Sequence, residues 1–393
     1  MRMKNLVLLG LFLLLIAAVP LAQAVIDLKR ESKVYFLTLF QQSPSEKNLR
    51  DFEDKLEQGS YFEQKIRPLF QLGRYRLLGE LGEKALRGQS PGWYFYTPGM
   101  RYLVEPFYRD LPDAPPTRCK PGEACDPVVV IRDLARQLRG RGIELAVMPV
   151  PGKASIHPER LVRGMKPDLA IAAHTRRVMQ DLTRQGVAVI DLHRALIDVR
   201  AREPSRVLYM EADTHFNGDG ARLTAAVAAR WVRQRPWFAG LSRHVRYRRR
   251  SVTIERPGDV PRMTRIPHEQ RLFGTQRVMC HQVSFADGEQ QGEPYEEPDE
   301  PEQAPVLVLG DSFSRVFETD EPRAAGWIAN LAFELQQPIG AIVNDGGAST
   351  LVRQQLAQDL DALKGKKLVI WAFVERDIRF GMQGWQLIEL WPG

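Results

Sequence analysis

The run "VLVLGDSFSRVF", residues 306–317, opens with four apolar residues and then stops at Gly-Asp-Ser. A short Val/Leu run ended by turn residues reads as a strand buried on both faces. Helix-covered parallel sheets provide such a place. In open parallel sheets, ligands bind at the carboxyl ends of the strands. Ser312 therefore stands at a strand mouth, directly after a carboxylate. Taken alone, it reads most simply as a helix cap.

The chain on both sides supports the strand reading. Asp126-Pro127 is a cap followed by a first-turn proline, and the helix it starts ends near Gly140 or Gly142. "IELAVMPV" (143–150) follows as a strand, then a helix over about 168–185, then the strand "VAVIDL" (187–192). The loop "EADTHFNGDG" (211–220) leads into the amphipathic stretch "ARLTAAVAARWVRQ". After 305–311 come a helix, the strand "IGAIVND" (339–345), a further helix and the strand "KLVIWAFV" (367–374). Alternation of this kind argues for an α/β fold with about five parallel strands between helices.

Two segments break the alternation. Residues 236–304 contain "VRYRRRSVTIERPGD" and "QRVMCHQVSFADG", which read as a β-rich insertion, followed by an acidic, flexible stretch at 288–304. Residues 25–125 read as a cover. "YFLTLFQQ" and "FEQKIRPLFQLGRYRLLGELGEKAL" have helical spacing, and the aromatic, turn-rich part after them reads as a strand or hairpin. The expected division is 1–24, 25–125 and 126–393, the last carrying the insertion.

Arg2 and Lys4 precede the apolar stretch "LVLLGLFLLLIAAVPL", and "AQA" at 22–24 has cleavage spacing. This is an export signal, with cleavage after Ala24 favoured. An uncleaved inner-membrane anchor is the alternative, because about 16 residues are short for a span of roughly 20. Export places the remainder in the periplasm. The formal charge of +7 is mild and uneven, with "RHVRYRRR" (243–250) basic and "GEQQGEPYEEPDEPEQ" (288–303) acidic. Most of the basic run reads as a solvated strand face; as a partner for it, an anionic sugar polymer suits better than nucleic acid, which an exported chain rarely meets. An oxidising compartment would let Cys119 and Cys125 of "CKPGEAC" pair, leaving Cys280 buried.

The chemistry rests on a combination. A neutral hydroxyl needs an imidazole to take its proton, and a carboxylate must orient that imidazole. Asp213 and His215 stand two apart, and in an extended loop they point the same way. They could serve Ser312. The Ser312 N–H is one natural oxyanion donor, and "NDGGAST" (344–350) offers Asn344, Gly346 or Gly347 as another. Those glycines could equally only make a tight turn. Arg376 reads as a substrate or carbonyl contact, or as an ion pair with Glu375 or Asp377. Lys153 reads as a substrate contact or an exposed strand-end residue. His174 lies in a helix, His193 follows a strand and His244 sits in the basic run, while His157, His268 and His281 have no second ligand at metal spacing. No metal is expected, and with neither a P-loop nor a strand-linked GxGxxG, no cofactor.

"GDSFS" resembles the nucleophile block of the SGNH hydrolases, and "DTHFN" resembles their Asp–His block. The order is permuted, with Asp213 and His215 ahead of Ser312. With "MPVPGKASIHPERL" (148–161) and "WAFVERDI" (371–378), it resembles the AlgX/AlgJ-like alginate O-acetyltransferases over about 126–380. Phe216 stands where these relatives usually have Trp, and His157 where Tyr is common. With no further carbohydrate-binding domain visible after 380, the layout is closer to AlgJ. The resemblance implies a permuted SGNH-like domain that passes acetyl from Ser312 to an exopolysaccharide such as alginate. It also implies a membrane-bound O-acyltransferase as acetyl relay, alongside other polysaccharide secretion proteins. A carbohydrate acetyl esterase, or a non-catalytic polysaccharide-binding scaffold, are the alternatives.

Overall fold

The structure is a computed structural model describing residues 3–29, 34, 49, 52, 55, 59–242, 245–267 and 272–391. The helical reading of "YFLTLFQQ" falls on 35–42, outside the described residues, as do His244 and His268. The chain divides into two compact units, Met1–Gly82 with Thr264–Leu272, and Glu83–Met263 with Phe273–Gly393.

In the first unit, helix α1 spans Met3–Lys29 and helix α2 spans Arg67–Leu78, led in by a wide turn at Phe62–Ile66. Val7–Lys29 is long and apolar enough to cross a membrane. It exceeds the 16-residue apolar stretch because helix continues through "AQAVIDL" without a break.

In the second unit, a short antiparallel hairpin pairs β1 (Ala85–Arg87) with β2 (Tyr94–Tyr96), and helix α3 (Thr97–Val104) follows. Helix α4 (Pro127–Arg139) begins where the sequence places it. Asp126 accepts from Val128 N–H at 2.8 Å and Pro127 sits in the first turn. Its apolar positions Val128, Ile131, Leu134, Ala135 and Leu138 are buried at helical spacing.

Strands β3 (Glu144–Val150), β4 (Ala188–Val189), β7 (Val306–Gly310), β8 (Ile339–Val343) and β9 (Leu368–Val374) form one parallel sheet in the order β4-β3-β9-β7-β8. Alternate residues feed two cores. Ala146, Met148, Val308 and Ile370 face helices α7 (Leu192–Arg202), α8 (Gly218–Arg233) and α10 (Trp327–Leu335). Leu145, Val147, Leu309 and Trp371 face α4, α6 (Ala173–Arg184) and α11 (Leu351–Gln358). Helix α5 (Lys153–Ile156) and helix α9 (Ser312–Arg315) are single turns at strand mouths.

Two elements are shorter than expected. β4 stops at Val189 because Asp191 caps α7, accepting from Arg194 N–H at 2.9 Å. The one helix expected after Ser312 is two, α9 and α10. Glu318 separates them, accepting from Ala329 N–H at 2.9 Å in the first turn of α10.

The insertion is an antiparallel hairpin of β5 (Tyr247–Pro257) and β6 (Thr275–Phe285). The acidic stretch after it is tied to the sheet. Tyr295 is buried and its hydroxyl donates to Ile339 O at 2.8 Å, while Glu297 accepts from Ala341 N–H at 2.7 Å. It thereby covers the β8 edge.

Asp126 also accepts from Arg109 Nη2 at 2.8 Å and Tyr108 Oη at 3.1 Å, fully buried. Asp126→Ala removes a cap and leaves these donors unmatched. It is expected to destabilise by about 2 kcal/mol or more, read as a lower thermal midpoint.

Candidate active site

Strand ends supply the site. Beyond β7, Asp311 caps α9 by accepting from Phe313 N–H at 2.9 Å, and its other oxygen accepts from Val374 N–H at 2.8 Å. The mouths of β7 and β9 are thus tied, and half-buried Ser312 begins α9 between them.

The Asp213 loop arrives from the other direction. Met210 N–H donates to His215 O at 3.1 Å, and Tyr209 bridges to Phe216, so the loop closes tightly before α8. His215 Nδ1 donates to Asp213 Oδ1 at 2.7 Å, and Ser312 Oγ donates to His215 Nε2 at 2.8 Å. The imidazole rests on the Phe313 ring, 4.8 Å between centroids, and Phe216 packs behind Phe313 at 5.1 Å. Burial alone would lift the Asp213 carboxyl, but the hydrogen bond and charge of His215 outweigh it. Asp213 is held well below the usual carboxylate range. Burial opposes a charged imidazole, yet Asp213 overcomes that and raises His215 above its ordinary value.

Lys153 corrects the sequence reading. It is neither a substrate contact nor exposed, being only 5% exposed. Its Nζ donates to three carbonyls of the Asp213 loop, Met210 at 3.0 Å, Glu211 at 2.8 Å and Asp213 at 2.7 Å. The Trp93 and Phe95 rings flank the ammonium at 5.5 and 5.0 Å. Burial pushes it down to about 7, with the nearby carboxylates opposing.

The turn carrying Lys153 is itself anchored. Buried Glu375, at the mouth of β9, accepts from Gly152 N–H at 2.6 Å, from Ser155 Oγ, and from Thr175 Oγ1 at 2.8 Å. His193 Nε2 lies 3.0 Å from the same carboxylate. The sequence reading of Glu375 as a surface partner for Arg376 fails, because β9 ends inside the molecule. Arg376 forms no ion pair among the described residues. Its guanidinium lies over the Tyr96 ring at 5.0 Å, and its charge opposes protonation of His215.

Asn344 N–H donates to Gly310 O at 3.0 Å, and Arg315 Nε donates to Asp345 at 2.8 Å, which ties this turn to α9. Gly347 is a correction. Its N–H donates to Asn344 O at 3.0 Å and so closes the turn instead of facing a ligand. Gly346 takes φ +70°, the left-handed conformation such a turn requires.

The sequence reading missed Asp259 and Arg256, both in the insertion. Asp259 accepts from Thr214 N–H at 2.7 Å and Thr214 Oγ1 at 2.6 Å, and its own N–H donates to Asp213 Oδ2 at 3.2 Å. Arg256 Nη2 lies 3.6 Å from the same oxygen. Gly258 permits this approach, since a Cβ there would sit 1.8 Å from Ala212 O. The signal available was "ERPGD", whose Pro-Gly marks a turn but not its neighbour. Asp213, His215 and Asp259 offer ligand atoms within 4.8 Å of one another. Those atoms are already engaged, His215 Nδ1 with Asp213 and Asp259 with Thr214.

Cys119 and Cys125 are bonded, with Cα atoms 5.9 Å apart, and Cys280 is buried and free. His157 is buried and accepts from Leu208 N–H at 3.1 Å, and burial lowers it to about 4.

Residues 120–375 match the family model described as SGNH hydrolase-like domain, acetyltransferase AlgX. The chain belongs to this family. Among curated proteins, it is 28% identical over 96 residues to the probable alginate O-acetylase AlgJ of Pseudomonas aeruginosa, a stretch that is 24% of each chain. Among solved structures, the O-acetyltransferase domain of Pseudomonas putida AlgJ aligns with a TM-score of 0.54 at 18% identity, over 75% of this chain and 91% of that one. Pseudomonas aeruginosa AlgX aligns at 0.52 and 17% identity, over 74% of this chain and 61% of that one. At these identities the likeness shows the fold. Lys153, Asp259 and Glu375 all fall within the SGNH-like, AlgX-type match, whereas Trp93 and Phe95 lie before it.

Lys153→Met removes the donor to Met210 O and Asp213 O, while Glu211 O keeps Tyr94 N–H at 3.0 Å. Two buried carbonyls at about 1–3 kcal/mol each predict a lower thermal midpoint. Acyl transfer is expected to fall with it, because the loop bearing Asp213 loosens.

Proposed function

We propose that this chain is an exported O-acetyltransferase that carries an acetyl group on Ser312 to hydroxyls of a bacterial exopolysaccharide such as alginate. The observation carrying this reading is the relay of 2.8 and 2.7 Å from Ser312 through His215 to Asp213. Membership of the AlgX-type acetyltransferase family supports the reaction class.

Ser312 Oγ attacks the acyl carbonyl while His215 Nε2 takes its proton. His215 then returns that proton to the leaving group, and Asp213 stabilises the imidazolium between the two events. The sugar hydroxyl next attacks acetyl-Ser312, again losing its proton to His215, and Ser312 regains one as the ester leaves. The oxyanion takes the N–H of Ser312, with the Asn344 side-chain amide or the Gly346 N–H as second donor. Arg376 contacts the substrate, its charge beside the imidazole and in no close ion pair among the described residues. The resemblance to the alginate O-acetyltransferases points to a membrane-bound O-acyltransferase as the acetyl source, within a polysaccharide secretion assembly. The signal segment, cover and catalytic domain, at 1–24, 25–125 and 126–393, are the proposed layout. The signal helix stays as an anchor in the inner membrane, since α1 runs unbroken past Ala24 and buries Gln23 and Asp27.

Ser312 should form an adduct with a sulfonyl fluoride, located by mass spectrometry, and Ser312→Ala should form none. Incubation with an acetyl ester and an oligosaccharide should give acetylated sugar. Free acetate alone would make the protein an esterase, and intact polymer acetylation by Ser312→Ala would leave a scaffold. The base must be neutral to act. The rate at limiting substrate is therefore expected to rise with pH through the raised His215 ionisation and level off above it. Asp213→Asn should move that inflection to lower pH and cut the plateau by about 10⁴, read from a pH–rate profile.

A further inference from the structure

Helix α2 carries its apolar side outward. Leu69, Phe70 and Leu77, with Ile66 at the end of the turn before the helix, are 60, 66, 84 and 46% exposed, and their spacing places them on one stripe, with Leu78, 67% exposed, off it. Gly73 lies on the same stripe with open space beside it. Gln71 and Leu72, on the other side, are the buried residues. The charged side chains of α2 are Arg67, Arg74 and Arg76, with no acidic residue in the helix. By their spacing they border the stripe on its two sides, where long stems can lie along apolar surface and guanidiniums can reach polar groups. Arg67 and Arg74 pair with Glu63 and Glu80, acids outside the helix.

What covers this stripe follows from α1. Asp27 lies about 30 Å along the helix axis from Val7, which matches the hydrocarbon thickness of a bilayer. Gln23 and Asp27 thus come where α1 leaves the membrane. Gln23 Oε1 accepts from Tyr61 N–H at 2.8 Å, Gln23 Nε2 donates to Asp27 at 2.7 Å, and a longer bond reaches Gly59 O at 3.3 Å. The chain entering α2 is therefore fastened to α1 at the membrane surface. Arg2 and Lys4 mark the opposite, cytoplasmic end.

We propose that α2 lies in the lipid–water interface on the outer side of the inner membrane, with Ile66, Leu69, Phe70 and Leu77 among the acyl chains and its arginines at the headgroups. The occupant of the stripe is phospholipid. An arginine-edged apolar face of this length is the composition of an interfacial helix. The inference rests on the retained anchor and not on the acyl-transfer reading.

The test uses the full chain in vesicles of phosphatidylethanolamine and phosphatidylglycerol. Phe70→Cys, Leu77→Cys and, as an exposed reference in the other unit, Met382→Cys each carry an environment-sensitive fluorophore. The native thiols are bonded or buried. Nitroxides on the lipid chains are expected to quench positions 70 and 77 at least threefold more than 382, and aqueous iodide the reverse. Iodide access at 70 and 77 equal to that at 382 overturns the lipid contact. Protection from both quenchers in vesicles holding this chain alone means a second copy covers the stripe, which also overturns it. So does iodide access in vesicles combined with shielding in native membranes, which means a protein partner. Intact mass of the membrane-extracted chain separates the two premises. A mass lacking α1 overturns the anchored arrangement, and a full mass with iodide access overturns the interfacial helix alone.

Discussion

The arrangement around Ser312 depends on one buried cation. The Lys153 ammonium has three protons and meets three backbone carbonyls of a single loop, at 3.0, 2.8 and 2.7 Å. A loop held by one bond can pivot, while a loop held at 210, 211 and 213 cannot. The lysine is fixed in turn by the wall of Trp93 and Phe95, and by Glu375, which grips Gly152 and Ser155 on either side of it. The position of the Asp213 carboxylate is thereby set from the mouths of β3 and β9, and the same β9 mouth holds Asp311 beside Ser312. Ser312 and His215 are referred to one rigid edge of the sheet, which lets a 2.8 Å contact persist between residues 97 apart.

The electrostatics divide two carboxylates that share one imidazole. Asp213 accepts the Nδ1 proton and is driven low by it. Asp259 stands 3.5 Å from the same nitrogen, and burial and the charge of Asp213 lift it. Environments that push neighbouring acids apart assign them different tasks. Asp213 bears the charge that matches the imidazolium. Asp259 holds Thr214, the residue between the pair, so the turn cannot unwind.

Much of the fold was legible because its signals are local. Asp126-Pro127 caps a helix, Val/Leu runs make buried strands, and turn residues end them, each within a few residues of chain. The meeting of Ser312, His215 and Asp213 was legible as a need of the chemistry, since a lone hydroxyl, imidazole and carboxylate are explained together better than apart. Lys153 was misread because an ammonium after a strand looks the same whether it faces solvent or three carbonyls. Gly347 was left open between donor and tight turn for a similar reason, since whether an amide is free depends on the turn it closes. The acidic stretch at 288–304 looked flexible from composition, yet Tyr295 and Glu297 tie it to β8.

By itself, then, the amino-acid sequence determined the strand-and-helix order, the caps, the apolar N-terminal helix and the residue types available for acyl transfer. These follow from short-range sterics, hydrophobic periodicity and intrinsic reactivity. Only the tertiary structure decided which polar groups are satisfied by the backbone and which face a substrate. It brought Lys153, Glu375, Arg256 and Asp259 behind the Asp213 loop and left Arg376 in no close ion pair among the described residues, with its charge felt at Asp311 and Asp377. Burial and hydrogen-bond pairing belong to neighbours distant in the chain, so no local pattern encodes them.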